Sequence, residues 1–237
     1  MATTPRGGNR SPRSMNATQL TFEHVVVGVD GSTGSVEACR QAARLLEPEG
    51  QLELVSVFDG ATAVRTGRNA DRVRAGLVDE AEQAVSSARE AVGDVGRPIV
   101  LDGVPARALL RQVTRSGATL AAVGACIHSR VWQALFGGVT RELLQWAPCP
   151  VLVARPTQGE GTFPRAIAVG IGDSPETGQA LDVARYLEQR FDAPLLTVEP
   201  VEALLEAADA DLVVLADGSR RARQVAACSR SSALLVR

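Results

Sequence analysis

The hydrophobic pattern changes its period repeatedly along the chain, and each change marks an element. HVVVGVD (24–30) is a short continuous apolar run, which fits a strand buried on both faces of a parallel sheet. Gly31 and Ser32 follow. Val36, Cys39, Ala42, Ala43 and Leu46 then recur at helical spacing until Pro48 and Gly50 stop the helix. QLELVSVFD (51–59) predicts a second strand. Residues 70–92 predict a long amphipathic helix with Val73, Leu77, Ala81, Ala84, Val85 and Ala88 on one stripe. RPIVLDG (97–103) predicts a third strand, and 105–116 a helix carrying Leu109, Leu110 and Val113. ATLAAVG (118–124) predicts a fourth strand, 138–146 a helix and CPVLVAR (149–155) a fifth strand. Strands alternating with helices imply right-handed crossovers. The fold class expected is α/β, a doubly wound parallel five-stranded sheet with helices on both faces.

The pattern then begins again. The segment 167–188 aligns on 25–46 without a gap, matching Gly28/Gly170, Ser32/Ser174, Ala38/Ala180, Ala42/Ala184 and Leu45/Leu187. PLLTVE (194–199), DLVVLADG (211–218) and ALLVR (233–237) read as further strands matching the second, fourth and fifth. Between the first two of these stands one short predicted helix, VEALLEAADA (201–210), so the third strand and the long helix have no counterpart. A repeat of this size points to duplication of a whole domain. The expected organisation is a disordered tail at 1–20, a complete domain at 21–156, a linker at 157–163 and a shortened copy at 164–237 that leans on the first.

Composition narrows the chemistry. All 25 basic residues are Arg, so no Lys is present for a Walker-type phosphate loop or for Schiff-base chemistry. A net charge of −2 and 3% aromatic residues argue against a nucleic-acid surface. Cys39, Cys126, Cys149 and Cys228 have no metal-ligand spacing, and only His24 and His128 stand to assist them. No signal-peptide core and no run of 18 apolar residues appears, so a cytoplasmic protein without a membrane partner is expected.

In a doubly wound sheet ligands sit outside the carboxyl ends of the strands. Asp30, Val57 with Phe58, and Gly124 end the first, second and fourth strands and are expected to converge. VVVGVDGS, VPARALLRQV, GACIHSRVWQALFGGVT and WAPCPVLVAR together resemble the universal stress protein family over residues 22–155, and 164–237 resembles a worn copy of it. ATP-binding members share a glycine loop, Gly-x2-Gly-x9-Gly-[Ser/Thr]. Its spacing survives here as Gly124, Ile127, Gly137, Gly138, Val139 and Thr140, with Ile127 where the second Gly belongs and Gly138 where the Ser or Thr belongs. The resemblance implies ATP, with its Mg, as ligand. Asp30 would lie on the base or ribose side, and Gly124, Gly137, Gly138 and Thr140 on the phosphate side. Loss of the hydroxyl at Gly138 weakens phosphate binding about ten- to a hundredfold, and Ile127 crowds the phosphates. Thr140 and a bidentate Arg130 are the available compensations.

Two other readings stay open at this stage. One is a nucleotide-free module acting through protein contacts, with Val131, Trp132, Leu135 and Phe136 as a contact surface. The other is a thiol redox enzyme using Cys126 beside His128. No general base or other catalytic residue is identified, so hydrolysis of a bound nucleotide is expected to be weak or absent. In the second half Gly172 stands opposite Asp30, no glycine loop follows 211–216, and Arg220, Arg221, Arg223 and Arg230 read as a solvated charged helix. The family's dimer implies pairing of fifth strands. That means either a homodimer through 151–155 or an intrachain pseudo-dimer of 151–155 with 233–237.

Overall fold

A computed structural model describes residues 21–65, 69–125, 138–157, 162–172, 175–205 and 209–237. The tail 1–20, the loop residues Cys126, Ile127, His128, Arg130, Val131, Trp132, Leu135, Phe136 and Gly137, and Ser174 lie outside the described residues.

The first half runs β1 (His24–Val29), α1 (Thr33–Leu45), β2 (Gln51–Phe58), α2 (Gly60–Val64), α3 (Ala70–Ala91), β3 (Arg97–Asp102), α4 (Pro105–Ser116), β4 (Leu120–Gly124), α5 (Gly138–Trp146) and β5 (Val151–Ala154). The second runs β6 (Ile167–Gly170), α6 (Thr177–Phe191), β7 (Leu195–Val198), β8 (Leu212–Ala216), α7 (Arg220–Cys228) and β9 (Ser232–Val236). Local chemistry sets the boundaries. Ser32 caps α1 by accepting the Ser35 N–H at 3.2 Å. Pro105 opens α4, and Gly117, at φ 66°, closes it in the left-handed conformation. Ser219 caps α7 by accepting the Ala222 N–H at 3.1 Å.

Three details differ from the sequence pattern. A short helix, α2, forms where Asp59 caps Gly60–Val64. Where a helix is expected over 201–210, Val201–Leu205 form a 3-10 helix, and 206–208 lie outside the described residues. Phe163, placed in the linker by composition, is 8% exposed and belongs to the core, because its ring packs into the layer beneath α6 and the strands.

All strands lie in a nine-stranded sheet of order β3-β2-β1-β4-β5-β9-β8-β6-β7. Reading outward from the centre, β5-β4-β1-β2-β3 and β9-β8-β6-β7 follow the same plan, the second ending one strand sooner. Each half is parallel within itself, and β5 meets β9 antiparallel, Val151 opposite Leu235, Leu152 opposite Leu234 and Val153 opposite Ala233. The edge of β5 is therefore filled from within the chain. The alternative of a homodimer through 151–155 has no free edge to use.

Strand alternation sorts side chains into two apolar layers, each spanning both halves. Val25, Val27, Leu120, Leu152, Leu234, Val214 and Ile167 share one layer with α1, α3 and α6. Val26, Ala121, Val153, Leu235, Val213 and Ala168 share the other with α4, α5 and α7. Polar contacts also join the halves. The Arg190 guanidinium donates to the Leu45 and Leu46 carbonyls at 2.8 and 2.5 Å, and the Tyr186 hydroxyl donates to Glu47 at 2.6 Å.

Because both layers cross the β5–β9 boundary, the chain is expected to unfold as one unit. Leu234→Ala, at a fully buried position, costs about 2–5 kcal/mol. Urea denaturation followed by circular dichroism shows the loss as a lower midpoint of a single transition. Two separated transitions would contradict the shared core.

Candidate functional site

The chain passes from β1 outward through β2 to β3, then crosses back to β4 and β5. The switch between β1 and β4 leaves a crevice at their carboxyl ends. There a cavity of about 260 Å³ opens, lined by the tips of β1, β2 and β4, by α4, and by the first turns of α1 and α5. Val55, Val57, Leu109 and Val139 form apolar walls, and Asp30, Ser32, Ser35 and Thr140 bring the polar groups.

Asp30 follows β1 and precedes Gly31, whose φ of 78° turns the chain into α1. One Asp30 oxygen, Oδ1, accepts the Ser32 hydroxyl at 2.6 Å and the Ser32 N–H at 3.0 Å. Partial burial works to raise the carboxyl's pKa. The hydrogen bonds from Ser32, with Ser35 beside them, outweigh it and hold the group below its ordinary value of 3.8. Asp30 thus offers the cavity an ionised carboxylate, a pure acceptor. The hydroxyl protons of Ser32 and Ser35 are already committed, the first to Asp30 and the second to the Ser32 carbonyl at 2.9 Å. Thr140, 7% exposed in the first turn of α5, lines the cavity too.

Of the residues singled out in the sequence, the structure brings Asp30, Val57, Gly124, Val139 and Thr140 to this cavity. Phe58 lies instead against the Arg74 guanidinium, 5.3 Å from the ring centre. Gly138 opens α5 at an exposed position, and a Cβ there would meet nothing within 4 Å. Gly124 has a reason for being glycine besides a ligand. A Cβ on it would stand 2.3 Å from the Gly34 carbonyl carbon and 2.6 Å from the Ser35 nitrogen, because β4 ends against the backbone of α1. The sequence pattern did not single out Ser35, Pro105 or Leu109 for the site. Their signal was present, since each opens or lines a helix directly after a strand tip, but helical spacing alone assigned Leu109 to the core.

Among the described residues, side chains crowd the corresponding strand tip of the second half. A Cβ on Gly170, the counterpart of Gly28, would lie 2.5 Å from Val201 Cγ2 and 2.8 Å from Leu204 Cδ1. Leu204 takes the place that Leu109 holds near Gly28, and Val201 lies over the strand tip in addition. Two of the four arginines there are spent on carboxylates, Arg223 on Asp217 at 2.6 Å and Arg221 on Glu202 at 3.3 Å.

Cys39 and Cys149 are buried, and burial pushes both thiols up to about 12. They are protonated at neutral pH and act as small apolar side chains. Among the described residues no three His, Cys, Asp or Glu side chains converge as a metal site, and no helix is long and apolar enough to cross a membrane.

A parallel-dominated sheet with helices on both faces, and a strand-tip crevice between β1 and β4 walled by the first turns of α1 and α5, defines a doubly wound α/β protein. More specifically, the chain belongs to the universal stress protein family, whose sequence model matches residues 21–155. Universal stress protein YxiE of Bacillus subtilis is 28% identical over 148 residues, which are 56% of this chain and 99% of that protein. A universal stress protein from Archaeoglobus fulgidus superposes with a TM-score of 0.64 at 14% identity, over 92% of this chain and 98% of its own. The functionally unknown protein PA1789 from Pseudomonas aeruginosa does so with a TM-score of 0.62 at 12% identity, over 93% of this chain and 94% of its own. At these identities the likeness is one of fold, and it extends across both halves.

Two measurements check the site's local physics. Gly124→Ala drives a methyl into the α1 backbone and is expected to destabilise the protein by about 1–3 kcal/mol, read as a lower urea midpoint. Asp30, with its folded pKa lowered, stabilises the fold fully above 3.8 and loses that contribution as pH falls through the folded value. The melting temperature of Asp30→Asn, which has no charge to lose, should therefore fall less steeply on acidification than that of the unaltered protein.

Proposed function

We propose that this stress protein binds an adenine nucleotide, ATP with its Mg²⁺, in the first-half crevice, and that it does so with little or no catalysis. The cavity at the β1–β4 switch point, with an ionised acceptor at its edge, carries the reading. Its volume is near the lower end for small-molecule sites, about 300 Å³. It suits a base and sugar, with phosphates extending outward. The apolar walls Val55, Val57 and Leu109 take the base. Asp30 accepts hydrogen bonds from amino or ribose hydroxyl groups. The amino end of α5, with the Thr140 hydroxyl and the N–H groups near Gly138 and Val139, faces the phosphates, as Gly124 does beside it. Ile127, Arg130 and Gly137 complete the phosphate side by sequence position. The metal arrives on the phosphates, in keeping with magnesium's preference for keeping several waters.

The second half is read as a shortened copy of the first, the two domains spanning 21–156 and 164–237 and forming a pseudo-dimer within one chain. The matching strand orders and the antiparallel β5–β9 boundary support this. A nucleotide-free role in protein contacts is the second reading. It is favoured by Gly138, which brings no hydroxyl to the helix start where the family loop has one.

Isothermal titration of Mg-ATP, after assay for co-purified nucleotide, tests the proposal. Micromolar binding that is abolished in Asp30→Ala is the expected result. Absence of heat at millimolar ATP, with no nucleotide carried through purification, would sink it in favour of the second reading.

A further inference from the structure

β5 and β9 are each followed by an arginine, and each arginine crosses the boundary to a helix of the opposite half. The Arg237 guanidinium donates through Nη1 to the Ala147 carbonyl and through Nη2 to the Leu144 carbonyl, at the carboxyl end of α5. Arg155 Nη2 donates to the Ala227 carbonyl of α7 at 2.6 Å. The last carbonyls of a helix have no partner within it and carry the negative end of its dipole, so a cation there both satisfies and stabilises them.

Arg237 is itself anchored from its own half. Its Nε is 3.0 Å from Asp217 Oδ2, and the other Asp217 oxygen accepts Arg223 Nε at 2.6 Å. The Asp217 N–H donates to the Val236 carbonyl at 2.7 Å, which ties that carboxylate to the end of β9. The Arg237 side chain is 19% exposed. Partial burial lowers its pKa, but a guanidinium remains charged at neutral pH.

The opposite end of α5 lines the cavity through Val139 and Thr140. A helix of nine residues is about 13 Å long, so its two ends are joined by one short run of backbone hydrogen bonds. It meets the core through Leu143 and Leu144, with Val139 packed against the same layer and Ala147 buried just past its end. We propose that Arg237 is a positioning residue for the first-half site: from the second half it holds α5 by its carboxyl end and thereby sets where Val139 and Thr140 stand. Its effect on binding rests on the adenine-nucleotide reading; its hold on α5 does not. Arg155 makes the mirror contact on α7, which lines no part of the cavity, and so supplies an internal control.

The experiment pairs hydrogen–deuterium exchange with Mg-ATP titration on the full chain, comparing Arg237→Gln with Arg155→Gln. In Arg237→Gln the α5 amides are expected to exchange about tenfold faster while those of α7 keep their rates, and Arg155→Gln reverses the two. ATP affinity falls about five- to tenfold in Arg237→Gln only. Arg237→Lys keeps the charge but not the two-carbonyl fork and lies between. Should the Gln variant not fold, Arg237→Lys against Arg155→Lys makes the same comparison. Unchanged α5 exchange in Arg237→Gln overturns the proposal, as does faster exchange with unaltered ATP affinity. If the unaltered protein takes up no ATP, the binding reading is what fails, and α5 exchange alone still decides whether Arg237 holds the helix.

Discussion

The antiparallel contact of β5 with β9 is the constraint on which the rest of the molecule depends. Only three residue pairs define it, yet every side chain of β5 and of β9 is buried around it. Were the two strands apart, each half would present a bare, fully apolar sheet edge to water. Joined, they carry two core layers without interruption from one half to the other. The second half has four strands where the first has five, and it has no helix equivalent to α3. Its burial comes from that junction, from Phe163, and from α6 packing toward the end of α1.

The same junction orients the two crevices. Parallel strands within each half point their carboxyl ends one way, and the antiparallel step reverses that direction between halves. The strand tips of the second half therefore open on the opposite edge of the sheet from Asp30. There both Val201 and Leu204 press on Gly170, whereas at Gly28 the equivalent approach is made by Leu109 alone, as close as Leu204 is to Gly170.

Much of this was legible in the sequence because the signals were local. Continuous apolar runs gave the strands, Ser32 stood at the turn into α1, and Pro48 and Gly50 marked where that helix had to stop. The convergence of Asp30, Val57 and Gly124 followed from the rule that strand tips meet at a switch point. What was not legible depended on tertiary contact. Nothing near Phe163 says that a linker residue enters the core. Gly124 read as a phosphate-facing glycine, while its tightest neighbour is the α1 backbone at Gly34. The 3-10 turn at Val201–Leu205 carries a helical composition, so periodicity did not distinguish it from an α-helix. The choice between an intrachain and an intermolecular partner for β5 was equally open, since VLVAR and ALLVR satisfy either arrangement.

Encoding both sides of the central junction in one chain has a consequence for how such a molecule can change. Where two identical subunits meet across a dyad, any substitution appears twice, and one that closes a crevice closes both. Here the two sides are written separately. A valine can settle over Gly170 with no second side chain joining Leu109 over Gly28, and Arg155 and Arg237 can be altered one at a time although their contacts mirror each other. The pairing that makes the halves inseparable in space leaves them independent in inheritance, so a cavity can be retained at one set of strand tips while the other set changes.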